Sequence, residues 1–317
     1  MIIKHHHISM YKKNAGKNDQ FYREILGLRR VKVSVNQDDP TMYHVFYGDL
    51  TGSAGTELTF FEIPMIGSTY RGTNAITQIG LLVPSYQSLL YWQNRFSQFN
   101  VKHSHVTKYA GHDAIHFEDP EGLRFVLLNH EGKKIPDEWQ PWSESVVPEE
   151  FRILGMGSVE ITVESLASLS DVLKNLLGYT EVSRSENEAV FQAVKGEVFG
   201  EIVVKQLAGV KERRGKGSIH HLAIEVDENG PSLETLAKNI KAYGFITSKV
   251  IDRYYFKSLY FTDQHGITFE LVSGGPGFTV DSSIENLGTK LDLPPFLEDR
   301  RKEIEAKLIP IEEWENV

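Results

Sequence analysis

The strongest constraint on the fold is a unit of one strand, one helix and about three further strands that recurs four times along the 317 residues. Each predicted helix is amphipathic and ends near a Gly or Asn, which favour the left-handed conformation found after helices. The predicted helices cover 17–28, 85–100, 166–178 and 232–244, and the strands before them cover 4–10, 76–83, 158–163 and 219–226. Because one unit is too small to bury a core alone, the units must pair.

Matching letters indicate that the chain is a duplicated half. Leu26-Gly27-Leu28 of unit one corresponds to Leu177-Gly178-Tyr179 of unit three, and Asp119-Pro120-Glu121-Gly122 of unit two corresponds to Asp263-Gln264-His265-Gly266 of unit four. The charged stretch 133–150, which contains prolines, is the predicted boundary. We therefore predict an α+β fold of four βαβββ modules paired into two domains. Residues 1–140 hold modules one and two, residues 151–274 hold modules three and four, and 275–317 form a wrapping extension.

Composition excludes several functional classes. The chain has no cysteine, so disulfide scaffolds, thiolate metal sites and cysteine nucleophiles are ruled out. Its net charge of −9 argues against a nucleic-acid or anionic-membrane partner. No apolar run is long enough to span a bilayer. The start of the sequence leads directly into histidines rather than a signal peptide, so we expect a cytoplasmic location.

Duplication allows a comparison within the chain. A residue that the fold requires should recur in both halves, whereas a residue found in one half only is a candidate for chemistry. Three residues are found in one half only. His7 stands opposite Ser158, His221 opposite Gln78, and Glu270 opposite Val126. Each belongs to the first or last strand of its unit.

Two histidines and one carboxylate have the composition of a facial metal triad. Such a triad occupies one side of an octahedral Fe(II) and leaves the other side open for substrate and dioxygen. Side chains alternate along a strand, so His7 and Ser9 should share one face of the sheet while His6 lies on the other. For the same reason His220 and His221 should lie on opposite faces. Glu270 follows apolar neighbours, where a carboxylate is costly to bury unless it is paired or bound to metal. The residues alone do not show that units one and four touch, so a structural role for each histidine stays open.

The chain resembles the vicinal oxygen chelate superfamily of glyoxalases, fosfomycin-resistance proteins and extradiol dioxygenases. Within it, the chain is most similar to ring-cleaving hydroquinone and chlorohydroquinone 1,2-dioxygenases. The segments that carry the resemblance are His6-His7-Ile8-Ser9, Phe21-Tyr22, Leu26-Gly27-Leu28, Asp38-Asp39-Pro40, Tyr43-His44, Tyr47-Gly48-Asp49, Gly52-Ser53-Ala54-Gly55-Thr56, Arg71-Gly72-Thr73, His220-His221, Gly266 and Phe269-Glu270. The resemblance implies that both domains are glyoxalase-like, and that units one and four face each other.

The resemblance also implies a set of site residues. His7, His221 and Glu270 would be the ligands of Fe(II), with Mn(II) or Zn(II) as alternatives in a purified sample. Around them it implies a second set of residues in catalysis: His6, Ser9, His220, Arg253 and Tyr260. Ser9 replaces the usual threonine and keeps the hydroxyl. Arg253 follows Asp252, so a surface ion pair is an equal alternative to substrate contact, and Tyr260 could equally be a core aromatic.

The function implied is an Fe(II)-dependent dioxygenase that cleaves hydroquinone-like or catechol-like rings with O2, in aromatic compound degradation or quinone detoxification. Its partners would be a small aromatic substrate and O2, without nucleic acid or membrane, and a homo-oligomer is left open. One alternative is a glyoxalase-like lyase or isomerase with a fourth ligand, for which Glu57 and Glu62 are candidates. The other is a non-catalytic small-molecule-binding protein of the same fold.

Overall fold

The computed structural model describes residues 2–310 and contains sixteen strands in two curled eight-stranded sheets. Unit one contributes β1 (Ile2–Lys12), β2 (Arg29–Val35), β3 (Tyr43–Gly48) and β4 (Glu57–Glu62). Unit two contributes β5 (Ala75–Val83), β6 (Thr107–Tyr109), β7 (His112–Glu118) and β8 (Arg124–Asn129). Unit three contributes β9 (Gly155–Val163), β10 (Thr180–Arg184), β11 (Glu188–Gln192) and β12 (Glu201–Gln206). Unit four contributes β13 (Ser218–Val226), β14 (Ile251–Asp252), β15 (Lys257–Thr262) and β16 (Thr268–Ser273).

Each unit has one helix after its first strand, as the sequence predicts. These are α1 (Ala15–Gln20), α2 (Tyr86–Gln98), α3 (Leu166–Asp171) and α4 (Leu233–Tyr243), followed in the C-terminal extension by α5 (Pro295–Glu298) and α6 (Arg301–Glu305). The first and third helices both continue into a π-helical turn, Phe21–Ile25 and Val172–Leu176. None of the helices in residues 2–310 is long and apolar enough to cross a membrane.

The residues shared by the two halves of the sequence have equivalent structural roles. Gly27 and Gly178 have φ values of +70° and +79°, which any residue with a Cβ adopts at a cost. Asp119 and Asp263 begin equivalent turns, in which Oδ1 of each accepts two backbone N–H groups from the residues two and four positions later. The duplication therefore preserves backbone geometry.

The two sheets pair the units in a nested order. The first sheet runs β14-β15-β16-β13-β1-β4-β3-β2, so it joins units one and four, and the second runs β10-β11-β12-β9-β5-β8-β7-β6, so it joins units two and three. The centre of the first sheet is the antiparallel pairing of β1 with β13. Each sheet therefore draws on both halves of the sequence. The division into 1–140, 151–274 and 275–317 stays a prediction about the duplication, and 311–317 lie outside the described residues.

Alternation along β1 separates the core from a cavity. Ile8 and Met10 are fully buried in the main hydrophobic core, which also contains residues of the second sheet. His7, Ser9 and Tyr11 point to the other side of the sheet and line a cavity. The curl of the sheet thus places the polar face of the first strand inside its concave side.

The C-terminal extension is fastened to the first sheet by a buried cation. Lys32 on β2 is fully buried, and its Nζ lies 2.7 Å from Asp281 Oδ1 and 3.2 Å from Asp292 Oδ2. The hydroxyl of Tyr255 donates to Asp281 Oδ2 at 2.8 Å, and Phe278 packs against the Tyr255 ring. Since Tyr255 lines the same cavity, this ionic cluster supports one of its walls.

Replacing Lys32 with methionine should lower the free energy of unfolding by about 3–5 kcal/mol, because two carboxylates would keep their partly buried places without their cation. Denaturant unfolding measures the change. Lys290→Met is the matched control, since Lys290 is 69% exposed and lies 3.9 Å from the same Asp292. We expect the control to stay within about 0.5 kcal/mol of the unsubstituted protein. Equal effects of both substitutions would contradict the role of the buried cation.

Candidate metal centre

Three donor atoms from three strands converge at the centre of the first sheet. Glu270 Oε2 lies 3.1 Å from His7 Nε2 and 2.8 Å from His221 Nε2, and the two nitrogens are 3.3 Å apart. The three side chains are buried. The register explains this convergence, because Ala223 on β13 pairs with both His7 on β1 and Glu270 on β16.

The carboxylate of Glu270 is oriented through its other oxygen. Oε1 accepts hydrogen bonds from Ser258 Oγ at 2.5 Å and from the Tyr260 hydroxyl at 2.8 Å. Both donors lie on β15, which pairs antiparallel with β16. These bonds turn Oε2 toward the two imidazoles. Tyr260 therefore contacts the candidate centre directly, and it also lines the cavity.

Each triad histidine is preceded by a second histidine whose ring lies beside it. The Nδ1 atoms of His6 and His7 are 3.0 Å apart, and those of His220 and His221 are 2.8 Å apart. Strict alternation is wrong at these positions, because the pairing of β1 with β13 shifts register at both His6 and His220. An extra residue in a strand bends it and redirects its side chains. The two bulges thus bring consecutive imidazoles together.

Burial sets the charge of this group. It lowers the pKa of His221, and it lowers the pKa of His6 and His220 to about 3. Burial alone would raise the pKa of the Glu270 carboxyl, yet the adjacent imidazoles hold that pKa well below its usual range. At neutral pH His6, His220 and His221 are therefore neutral, and Glu270 is an ionised carboxylate. This is the protonation state that metal ligands require.

The donor set fits a metal ion. In an octahedral site with bonds of about 2.1 Å, neighbouring donor atoms lie about 3.0 Å apart, close to the three distances between the Nε2 and Oε2 atoms. Glu270 Oε2 is a buried atom without a hydrogen bond, although two ring nitrogens approach it. A buried anionic oxygen without a hydrogen bond needs a further partner. A divalent cation between the three atoms would supply one.

A cavity of about 460 Å³ opens directly onto the triad. Its size suits a small organic molecule. Besides the triad, the wall combines seven aromatic side chains with seven polar and four aliphatic ones. The aromatic members are Tyr11, His44, Phe46, Phe61, Tyr255, Phe256 and Tyr260, and the polar members include Ser9, Ser34, Asp38, His220 and Arg253. The rings of such a surface can hold a flat molecule, and its polar side chains can orient it.

Arg253 lines the cavity beside Tyr260. Its Nη2 atom is 2.9 Å from Asp38 Oδ2 of unit one, and its guanidinium lies 5.6 Å from the centroid of the Tyr260 ring. The ion-pair partner is therefore Asp38 rather than the neighbouring Asp252. Because Asp38 is 72% exposed, this pair adds about 0–1 kcal/mol to stability. The guanidinium can then exchange this partner for a ligand at little cost.

Two residues at or beside the cavity were missed by the sequence reasoning. His44 lies between the rings of Phe46 and Phe61, and its Nε2 is 3.0 Å from the hydroxyl of Thr59. That hydroxyl is in turn 2.7 Å from Ser9 Oγ. The signal available for His44 was its place in the Tyr43-His44 segment. Thr59 has no signal in the sequence, because threonine is a common residue in strands.

The candidate fourth ligands do not join the triad. Glu62 Oε1 accepts a hydrogen bond from the backbone of Ala15 at 2.9 Å, away from the cavity. Glu57 is buried and forms a separate donor group with His6 and His7, which includes neither His221 nor Glu270. Within residues 2–310, the donor group around Glu270 contains only the two triad histidines and this carboxylate.

The second sheet lacks such a group among the described residues. The counterparts of the triad have structural surroundings there: Gln78 Oε1 lies 2.9 Å from His116 Nδ1, and Val126 packs in an apolar cluster with Trp139. Trp139 comes from the stretch between the halves, and its indole donates to the carbonyl of Ala54. The comparison of the two halves of the sequence thus identified residues that converge in the first sheet, whereas their counterparts in the second sheet do not form a donor group.

Comparisons with known proteins agree with this architecture. Residues 4–127 match the family described as Glyoxalase/Bleomycin resistance protein/Dioxygenase superfamily. MhqA of Bacillus subtilis (strain 168), named for an inferred ring-cleaving dioxygenase activity, is 46% identical over 97% of this chain and 98% of its own length. A crystal structure of an inferred dioxygenase from the same species superposes with a TM-score of 0.88 at 28% identity, covering 98% of this chain and 97% of that one.

A more distant relative has a more specific name. The chlorohydroquinone/hydroquinone 1,2-dioxygenase of Sphingobium indicum is 26% identical over 94% of both chains. The sequence identity to MhqA, which extends over nearly the whole of both chains, establishes the family. The chain belongs to the family of ring-cleaving dioxygenases within the glyoxalase superfamily, and it has two glyoxalase-like domains.

Replacing Glu270 with glutamine should lower the affinity of the metal-free protein for Fe(II) by about 100-fold or more, since loss of a residue that only supports a ligand already costs 10–100-fold. Anaerobic titration with Fe(II), or with Co(II) as a spectroscopic substitute, measures the affinity. Glu62→Gln is the matched control, because it removes a buried carboxylate while its amide oxygen can still accept from Ala15. Unchanged metal content in Glu270→Gln would contradict the triad.

Proposed function

We propose that this protein is an Fe(II)-dependent dioxygenase that cleaves the ring of hydroquinone-like or catechol-like aromatics with O2. The observation that carries the proposal is the convergence of His7 Nε2, His221 Nε2 and Glu270 Oε2 on the wall of a cavity that also has seven aromatic side chains. Bound Fe(II) would supply a Lewis acid with open positions at which substrate and O2 meet. The name of the Sphingobium indicum relative supports the hydroquinone class.

The side chains around the triad would hold protons in defined places. A ligand histidine that offers its Nε2 lone pair carries its proton on Nδ1. In this chain, Nδ1 of His7 would donate to Nδ1 of His6, and Nδ1 of His221 would donate to Nδ1 of His220. Burial and the nearby Glu270 raise the pKa of Tyr260, so its hydroxyl stays protonated and keeps donating to that carboxylate. These bonds fix the orientation of each ligand.

Other side chains would bind and orient the substrate. The rings of Phe46, Phe61 and Tyr255 provide apolar walls that exclude water from an aromatic ligand. The guanidinium of Arg253 contributes a cation to the cavity wall, so it would bind the oxygen of a phenolate. Positioning a bound ring beside the triad would supply the proximity that a reaction between two bound partners needs.

The number of donor atoms favours oxygen chemistry over the glyoxalase-like alternative. An isomerase with four protein ligands would leave fewer open positions for a substrate and O2 together. In the described part of the chain, neither Glu57 nor Glu62 joins the group around Glu270. A binding protein without catalysis would have no use for the triad. Both observations support a dioxygenase.

Loading the protein with Fe(II) without oxygen, then adding hydroquinone, methylhydroquinone or catechol in air-saturated buffer, tests the proposal. We expect oxygen uptake together with a new absorbance from a ring-opened product, fastest with a hydroquinone. Glu270→Gln, treated in the same way, is the control and should show no uptake. If the unsubstituted protein binds one iron and consumes no oxygen with any of the three substrates, the dioxygenase proposal is wrong.

A further inference from the structure

Units one and four are related by an approximate two-fold axis through the centre of the first sheet. The axis passes between Ile8 and Leu222, which pair across β1 and β13. It relates His7 to His221, and it relates His6 to His220, the residues where the two strands shift register. The symmetry therefore extends to the irregularities of the strands, and each half of the centre has a counterpart in the other.

The strand register extends this symmetry to the neighbouring strands. Ser9 pairs with Thr59 on β4 as its counterpart Ala223 pairs with Glu270 on β16. Phe46 pairs with Thr59 as Tyr260 pairs with Glu270. With Thr59 as the counterpart of Glu270, Phe46 is in turn the counterpart of Tyr260. Thr59 occupies in unit one the place that Glu270 occupies in unit four.

The contacts of Thr59 show that its hydroxyl is used within the protein. Thr59 is fully buried, and its Oγ1 lies 2.7 Å from Ser9 Oγ and 3.0 Å from His44 Nε2. Glu270 is held from the equivalent direction, because Ser258, the counterpart of His44, donates to its Oε1. The same scaffold thus holds a carboxylate on one side and a neutral hydroxyl on the other.

We propose that Thr59 sets the number of protein ligands at the centre to three. A carboxylate at this place would be the symmetry mate of Glu270 and would take a coordination position that the dioxygenase reaction needs. A hydroxyl already bonded to Ser9 and His44 leaves that position to substrate or O2. Thr59 is thus a residue that determines the class of reaction. This inference rests on the proposed function in two respects: the triad binds a metal, and the reaction with O2 uses the open coordination position.

Thr59→Glu in the full-length chain tests the proposal by a gain of binding. We expect Zn(II) or Co(II) to bind the metal-free variant about tenfold or more tightly than they bind the unsubstituted protein, because a fourth anionic ligand is added. Without metal, the buried carboxylate should lower Tm, and added metal should raise Tm by more than in the unsubstituted protein. Thr59→Gln, of similar size but uncharged, is the control and should gain neither affinity nor metal-dependent stability.

Oxygen uptake by the Fe(II)-loaded Thr59→Glu variant should fall well below that of the unsubstituted protein. Affinity no higher than that of Thr59→Gln, or full oxygen uptake with the fourth ligand present, would overturn the inference. If the glutamate variant does not fold, Thr59→His offers a ligand that is neutral without metal, and the same outcomes apply. Tighter metal binding by the variant, beside an unsubstituted protein that consumes no oxygen, would support the ligand place and refute the dioxygenase proposal.

Discussion

The candidate centre depends on one interaction, the antiparallel pairing of β1 with β13. This pairing joins residues more than two hundred positions apart and places His7 directly across from Ala223, the neighbour of Glu270 in the sheet. Without it, the first sheet would split into two open four-stranded sheets, each with part of the triad. The cavity and its aromatic wall also need both units. The site is therefore a property of the interface between the first and last units of the chain.

Irregularity in that pairing is as important as the pairing itself. A regular strand would send consecutive side chains to opposite faces. The register shifts at His6 and His220 instead allow each ligand histidine to have a second imidazole within hydrogen-bond distance. Bulges of this kind are frequent beside active sites, where they redirect a side chain. In this sheet the bulges at His6 and His220 are related by the two-fold axis, and each places an imidazole beside one ligand histidine.

Much of the fold follows from local signals, and the site follows from them in part. Gly27 and Gly178 marked helix ends because glycine adopts the left-handed conformation found there at little cost. The duplication marked His7, His221 and Glu270 as residues without a match in the other half. Pairing of the outer units could not be read from periodicity, since strand order is decided by contacts between distant segments. Thr59 became visible only through register, because a residue's partner across a sheet leaves no local pattern.

The nested pairing of the units has a consequence for how the protein is made. During synthesis, β1 emerges first, yet its central partner β13 begins only at Ser218 and the strand bearing Glu270 comes later still. Ile8 and Met10 must wait without their final neighbours until most of the chain has been translated. Contacts of such large sequence separation slow folding and expose apolar strands meanwhile. The inner sheet, whose strands lie between residues 75 and 206, can assemble first and give the outer strands a surface on which to close.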